Sequence, residues 1–230
     1  MARLARFPGA GLAHHVVQHG HNGALIVCDE EDRRIWRALL AEALATTRVA
    51  LHAWVLLPDH FHLVLTPAAE GDLGRLMQSL SRRYVASFNR RHRRSGTLWD
   101  GRYRACLLEP GAQVLSNLLF VDTHLHRRGA PEDEAADASS LRHHLGGNRD
   151  ALLVDPPEWW SLGNTPFERQ AAYARLIEAG LPTEEVGRIA AAVRRGWPLG
   201  SSRFVADLAA RTGSAAAPRP RGRPPRVPGR

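Results

Sequence analysis

Trp54-Val55-Leu56-Leu57-Pro58-Asp59-His60-Phe61-His62-Leu63-Val64-Leu65 holds two apolar runs separated by a Pro-Asp turn. That is the pattern of two adjacent strands joined by a tight turn. Side chains alternate faces along a strand, so His60 and His62 project from one face and Phe61 from the other. Two readings of the pair compete: packed strand histidines, or two ligands of one metal ion. The pair heads its strand directly after the turn, where a sheet presents groups at its rim, and this favours the metal reading.

Outward from this hairpin the periodicities alternate. Residues 14–19 read as a first strand, closed by Gly20 and Asn22-Gly23. Residues 29–46 carry Ile35, Leu39, Leu40 and Leu44 at helical spacing. The two hairpin strands fall at 49–57 and 60–65. A second helix over 73–91 aligns Leu73, Leu76, Met77, Leu80, Tyr84 and Phe88. A fourth strand is expected at 102–108 and a third helix at 113–127. This order predicts an α+β fold, the ferredoxin-like βαββαβ unit with an antiparallel sheet and helices on one side. We expect a domain over 1–128, an acidic linker over 129–139 and a helical appendage over 140–213, in which Thr165-Pro166-Phe167-Glu168 starts a helix with a capping box. A disordered Arg/Pro tail is expected over 214–230.

The formal charge is +8 and the pI about 10.9, so a polyanionic partner is expected. No lysine occurs, and all 31 cationic side chains are arginine. This excludes a phosphate-loop lysine or a Schiff base and suits planar, bidentate contact with phosphate. Cys28 and Cys106 make neither a disulfide framework nor a zinc ribbon. No stretch reaches the length of a membrane span, and a soluble, cytoplasmic protein is expected.

Arg82, Arg83, Arg90, Arg91, Arg93 and Arg94 crowd the second helix and the turn after it, followed by Trp99 and Arg102. Single-sign charge beside an aromatic platform suits phosphate contacts with base stacking, as on single-stranded or distorted nucleic acid. Arg221-Gly222-Arg223-Pro224 reads either as an AT-hook-like core entering a narrow minor groove or as a solubilising tail. On the third helix, Val114, Leu118, Val121 and Leu125 form the apolar stripe; Gln113, Ser116, Asn117, His124 and Arg127 form a polar face, with Phe120 in its middle. His124 reads either as a surface histidine or as a third ligand beside His60 and His62.

Pro58-Asp59-His60-Phe61-His62-Leu63, Ser81-Arg82-Arg83-Tyr84-Val85, Phe88-Asn89-Arg90-Arg91 and, most specifically, Gly96-Thr97-Leu98-Trp99-Asp100-Gly101-Arg102-Tyr103 resemble the REP-associated tyrosine transposases. The similarity runs from about His14 to the C-terminus and includes Thr165-Pro166-Phe167-Glu168-Arg169-Gln170-Ala171, Arg195-Gly196-Trp197-Pro198-Leu199-Gly200-Ser201 and the Gly222-Arg223-Pro224 tail. The resemblance implies binding of palindromic hairpins and cleavage of single-stranded DNA beside them. It implies Mg²⁺ or Mn²⁺ held by His60, His62 and His124. In that family a helix tyrosine attacks the scissile phosphate, giving a 5′-phosphotyrosine and a free 3′-hydroxyl. Counted without gaps from Trp99, that tyrosine falls on Phe120, which has no hydroxyl. Asp122-Thr123-His124-Leu125-His126 also stands where the family tends to have an Asn-Pro pair. Of the three tyrosines, Tyr84 is read as core, Tyr103 as packed in the strand motif and Tyr173 as part of the appendage.

The sequence thus predicts a transposase-like protein acting on single-stranded and hairpin DNA, nucleoid-associated, as a monomer or dimer. The alternative is a cleavage-dead hairpin binder, either a regulator or a decayed copy. A metal-dependent nuclease using activated water is a third reading.

Overall fold

A computed structural model describes residues 9–129 and 138–212. Four strands, β1 (His14–His19), β2 (Val49–Leu56), β3 (His60–Pro67) and β4 (Arg104–Leu107), form one antiparallel sheet in the order β2-β3-β1-β4. With α1 (Glu30–Ala45) and α2 (Asp72–Arg91) inserted as expected, this is the ferredoxin-like order. Both helices lie on one face, where Trp36, Leu40, Leu76, Leu80 and Tyr84 pack on Val16, Phe61, Leu63 and Leu65. Phe61 is fully buried there, 5.1 Å from the Trp36 ring, as strand alternation requires. Asp29 caps α1, accepting from the Asp32 N–H at 3.0 Å.

The opposite face is covered by α3 (Ala112–Asp122), whose Val114, Leu118 and Val121 meet Val17, Val55, Val64 and Cys106. The single helix expected over 113–127 is broken: α3 ends at Asp122 and a short turn, α4 (His124–Arg127), follows. The Thr123 hydroxyl donates to the Leu119 carbonyl at 2.6 Å, a local bond that competes with helix continuation. The fourth strand is also shorter than expected. Gly101, with φ +71°, turns the chain before it, and pairing starts only at Arg104.

After residue 138 come α5 (Leu141–His144), α6 (Pro157–Trp160), α7 (Pro166–Ala179), α8 (Thr183–Arg195) and α9 (Ser202–Thr212). The capping box at Thr165 and Glu168 is formed. This segment closes both sheet edges. Leu56 N–H donates to Ala138 O at 2.9 Å on the β2 edge, and Leu199 N–H donates to Leu107 O at 2.8 Å on the β4 edge. Trp159, Tyr173, Ile189 and Val193 then join the α3 side of the core. The expected linker falls almost wholly, and the expected tail with Arg221 and Arg223 wholly, outside the described residues.

Candidate functional site: a histidine cluster at the sheet rim

His60 and His62 project from the α3 face of β3, their ring centroids 5.1 Å apart. The break after α3 swings His124 over them, 5.4 Å from His60 and 4.8 Å from His62. One potential ligand atom from each of the three lies within 4.8 Å of the others. The sequence-expected histidines are therefore brought together by elements far apart in the chain.

Each strand histidine is held through Nδ1. His60 Nδ1 bonds Asp59 Oδ1 at 2.7 Å, Arg128 reaches the same carboxylate oxygen at 3.3 Å, and the His19 ring stacks on His60 at 4.8 Å. His62 Nδ1 meets His15 Nε2 at 2.8 Å, and His15 Nδ1 meets Asn117 Oδ1 at 2.7 Å. His124 Nδ1 is buried and has no hydrogen-bond partner. Burial lowers the pKa of His60, holds that of His62 well below the ordinary imidazole value and pushes His124 down to about 3, with the neighbouring imidazoles adding to the shift. Neutral imidazoles are the ligating form. Two oriented rings and a third with an orphaned buried nitrogen fit a divalent metal ion, with Arg127 and Arg128 as the nearby positive charges. Two other groups converge, Cys28/Asp32/His92 and His143/His144/Asp155, but Arg91 already engages Asp32 at 2.6 Å.

Phe120 is not on a solvated helix face: it is 3 % exposed. Its ring stands edge-on to His15, His62 and His124 at 5.5, 5.8 and 5.3 Å. The Arg127 guanidinium lies 4.4 Å above the ring, and one of its N–H groups donates to the Phe120 carbonyl at 2.6 Å. Asn117, also expected on the polar face, is fully buried. The polar face thus packs onto the polar patch of the sheet, a pairing no helical wheel reveals.

The tyrosines stand elsewhere. Tyr84 is core on the opposite face and donates to Ile26 O at 2.6 Å, with burial raising its pKa far above normal. Tyr103 packs against the same α1–α2 core. Tyr173 is buried behind α3 and donates to Asp122 Oδ2 at 2.7 Å.

The basic surface divides. Arg91 is tied to Asp29 at 2.7 Å, and Arg83 pairs with Glu42. Arg94 stacks on Phe88 at 5.6 Å. Arg82, Arg90, Arg93 and Arg102 are exposed. Arg75, Arg82 and Arg83 line a cleft of about 570 Å³ with Thr46, Thr47 and Gln78. Trp99 is a correction to the sequence reading. It is 8 % exposed, packs edge-on to Phe61 at 5.8 Å and donates its indole N–H to Ser81 O at 3.3 Å, so its ring offers no free face to a base. Its role is to seat the 92–103 loop: Gly20 and Trp99 pair as an isolated bridge, and Asp100 N–H donates to His19 O at 2.9 Å. The arginines of that loop consequently lie at the histidine end of the sheet. Sequence reasoning missed His15, His19, Asp59, Arg127 and Arg128 as parts of the site. The spacing of His15 and His19 along β1 was the available signal.

Among solved structures, the chain is similar to a REP-associated tyrosine transposase bound to a REP hairpin, with a TM-score of 0.55 at 11 % identity over 69 % of this chain and 93 % of that one. A protein from Deinococcus radiodurans R1 described as a transposase is 21 % identical over 43 % of this chain and 80 % of its own, with a TM-score of 0.36 that adds no weight. No curated protein matches the sequence. Residues 12–114 match the family model described as IS200-like transposase, and this segment contains both strand histidines and the whole sheet. Over those residues the chain is similar to the IS200-like transposase family.

Proposed function

We propose that this protein is a REP-associated-transposase-like DNA-binding protein that takes single-stranded and hairpin DNA of palindromic repeats and does not form a phosphotyrosine. The observation that carries the reading is Phe120: a ring without a hydroxyl faces the histidine cluster, while the Tyr84 and Tyr173 hydroxyls are engaged by Ile26 O and Asp122. His60, His62 and His124 are the residues that would hold Mg²⁺ or Mn²⁺. When bound, such an ion supplies charge stabilisation at a phosphoryl oxygen. Arg127 and Arg128, beside Phe120 and Asp59, supply fixed positive charge at the same end of the sheet. Arg90 at the end of α2 and Arg93, Arg94 and Arg102 in the loop extend that charge and hold phosphates, while Arg82 does so in the cleft it shares with Thr46 and Thr47. With DNA as partner, the protein acts in the cytoplasm at the nucleoid, as monomer or dimer.

The test is binding of a palindromic hairpin with a single-stranded flank against a plain duplex of equal length. The hairpin should bind more tightly, and its affinity should fall steeply with salt because each neutralised phosphate releases counterions. Equal affinities, or a flat salt response, would contradict the reading. Cutting without any protein–DNA adduct would instead favour hydrolysis by activated water, to which the intact histidine cluster lends itself.

A further inference from the structure

We propose that Asn117 and His15 are positioning residues for His62, forming a buried relay that fixes His62 as the Nδ1–H tautomer and presents its bare Nε2 to the cluster. The relay starts at a backbone carbonyl. Asn117 Nδ2 donates to Gln113 O at 2.7 Å, one turn earlier in α3. A flipped amide would set two acceptors against each other, so Oδ1 is the atom 2.7 Å from His15 Nδ1. Oδ1 only accepts; therefore His15 Nδ1 carries the proton and donates. A neutral imidazole has one N–H, which leaves His15 Nε2 as an acceptor 2.8 Å from His62 Nδ1. His62 must then donate from Nδ1, and its remaining nitrogen is a lone pair.

All three members are buried. His15 and Asn117 have no exposed surface, His62 is 6 % exposed, and the Phe120 ring closes the side of the His15–His62 pair. Each hydrogen bond thus has one possible direction. A backbone atom of α3 dictates which nitrogen of a β3 histidine can act as a ligand, through a residue of β1. His60 reaches the same outcome differently, its Nδ1 being held by the Asp59 carboxylate. Groups beyond the ligands that orient them commonly govern metal affinity. The affinity part of the proposal rests on the reading that these histidines hold a cation; the tautomer part does not.

The test begins with metal-free, ¹⁵N-labelled protein and long-range ¹H–¹⁵N correlation of its histidines. His62 should have a protonated Nδ1 and an unprotonated Nε2; the opposite tautomer overturns the proposal. Asn117→Leu removes the acceptor while keeping the branched heavy-atom skeleton, and it should mix the His62 tautomers and weaken Mn²⁺ binding, read by electron paramagnetic resonance, about 10- to 100-fold. Asn117→Asp keeps the acceptor towards His15 but sets its second oxygen against Gln113 O, so it should keep the His62 tautomer while lowering the melting temperature. A purely structural Asn117 would lower the melting temperature of the Leu variant while leaving tautomer and Mn²⁺ affinity unchanged, and that result also overturns the proposal. If Asn117→Leu does not fold, the wild-type tautomer decides alone. Wild-type protein that shows the expected tautomer but binds no Mn²⁺ overturns the metal reading and the affinity part together, whereas a reversed tautomer with Mn²⁺ bound overturns only the relay.

Discussion

The phenyl ring of Phe120 touches three imidazoles and lies beneath the Arg127 guanidinium. Adding one oxygen there is not a surface change. In Phe120→Tyr the new hydroxyl enters a buried site and should cost about 1–3 kcal/mol unless it finds a partner, measurable as a lowered denaturation midpoint. A loss within about 0.5 kcal/mol, as for surface substitutions, would mean that the hydroxyl is satisfied or solvated. The buried histidines make a separate prediction. Burial holds His14 and His15 at about 4 and His124 at about 3, against 6.5 for a free imidazole. Between those values and 6.5 the unfolded chain carries the proton and the folded chain does not. Metal-free protein should therefore be most stable above pH 6.5 and lose stability progressively as the pH falls towards 4. A melting temperature that stays flat from pH 7 to pH 4 would contradict these environments.

Among the elements, β2, β3 and the turn between them were legible because a period of two is a local property: it put Phe61 in one core and both histidines on the other face. The two long helices were legible for the same reason, their stripes being simple sequence periodicities. α3 was only half legible. Its apolar stripe was read correctly, but the burial of Asn117 and Phe120 depends on histidines of β1 and β3 that no window around α3 contains. Trp99 failed similarly, since its indole is satisfied by Ser81 O on α2 rather than by a sequence neighbour. The C-terminus of α3 holds a third such case. Asp122 is fully buried and accepts from Tyr173 Oη at 2.7 Å, from His144 Nδ1 at 2.6 Å and from Ser140 Oγ. These bonds tie α3 to α5 and α7. Tyr173→Phe removes one donor to a buried carboxylate and should cost about 1.5–3 kcal/mol in chemical denaturation. It should leave hairpin affinity unchanged, because Tyr173 faces away from the sheet rim. A variant as stable as wild type would show that the Asp122 network does not hold these elements together.

For the molecule as a whole, the ferredoxin-like sheet keeps two surfaces apart: α1 and α2 on one face, and the histidine cluster under α3 on the other. The 92–103 loop joins them at one end of the sheet, so on the proposed function a strand held by its arginines would run towards His19 and His60. Replacing exposed Arg93 and Arg102 together by Glu should weaken hairpin binding and flatten its salt dependence, with little effect on the melting temperature. Unchanged affinity would move the DNA path elsewhere. The central claim is that this molecule keeps the binding and metal-ligating parts of a transposase site while lacking the group that links covalently to DNA. The most direct measurement incubates wild-type protein and Phe120→Tyr with a single-stranded palindromic hairpin and Mn²⁺, and separates the products under denaturing conditions. Wild type should bind and yield no adduct, whereas Phe120→Tyr should yield a protein–DNA adduct mapping to residue 120. The new hydroxyl would lie about one helical turn from His124, within reach of a phosphate held at the histidines. An adduct formed by the wild-type protein, at Tyr84, Tyr103 or Tyr173, would contradict the account.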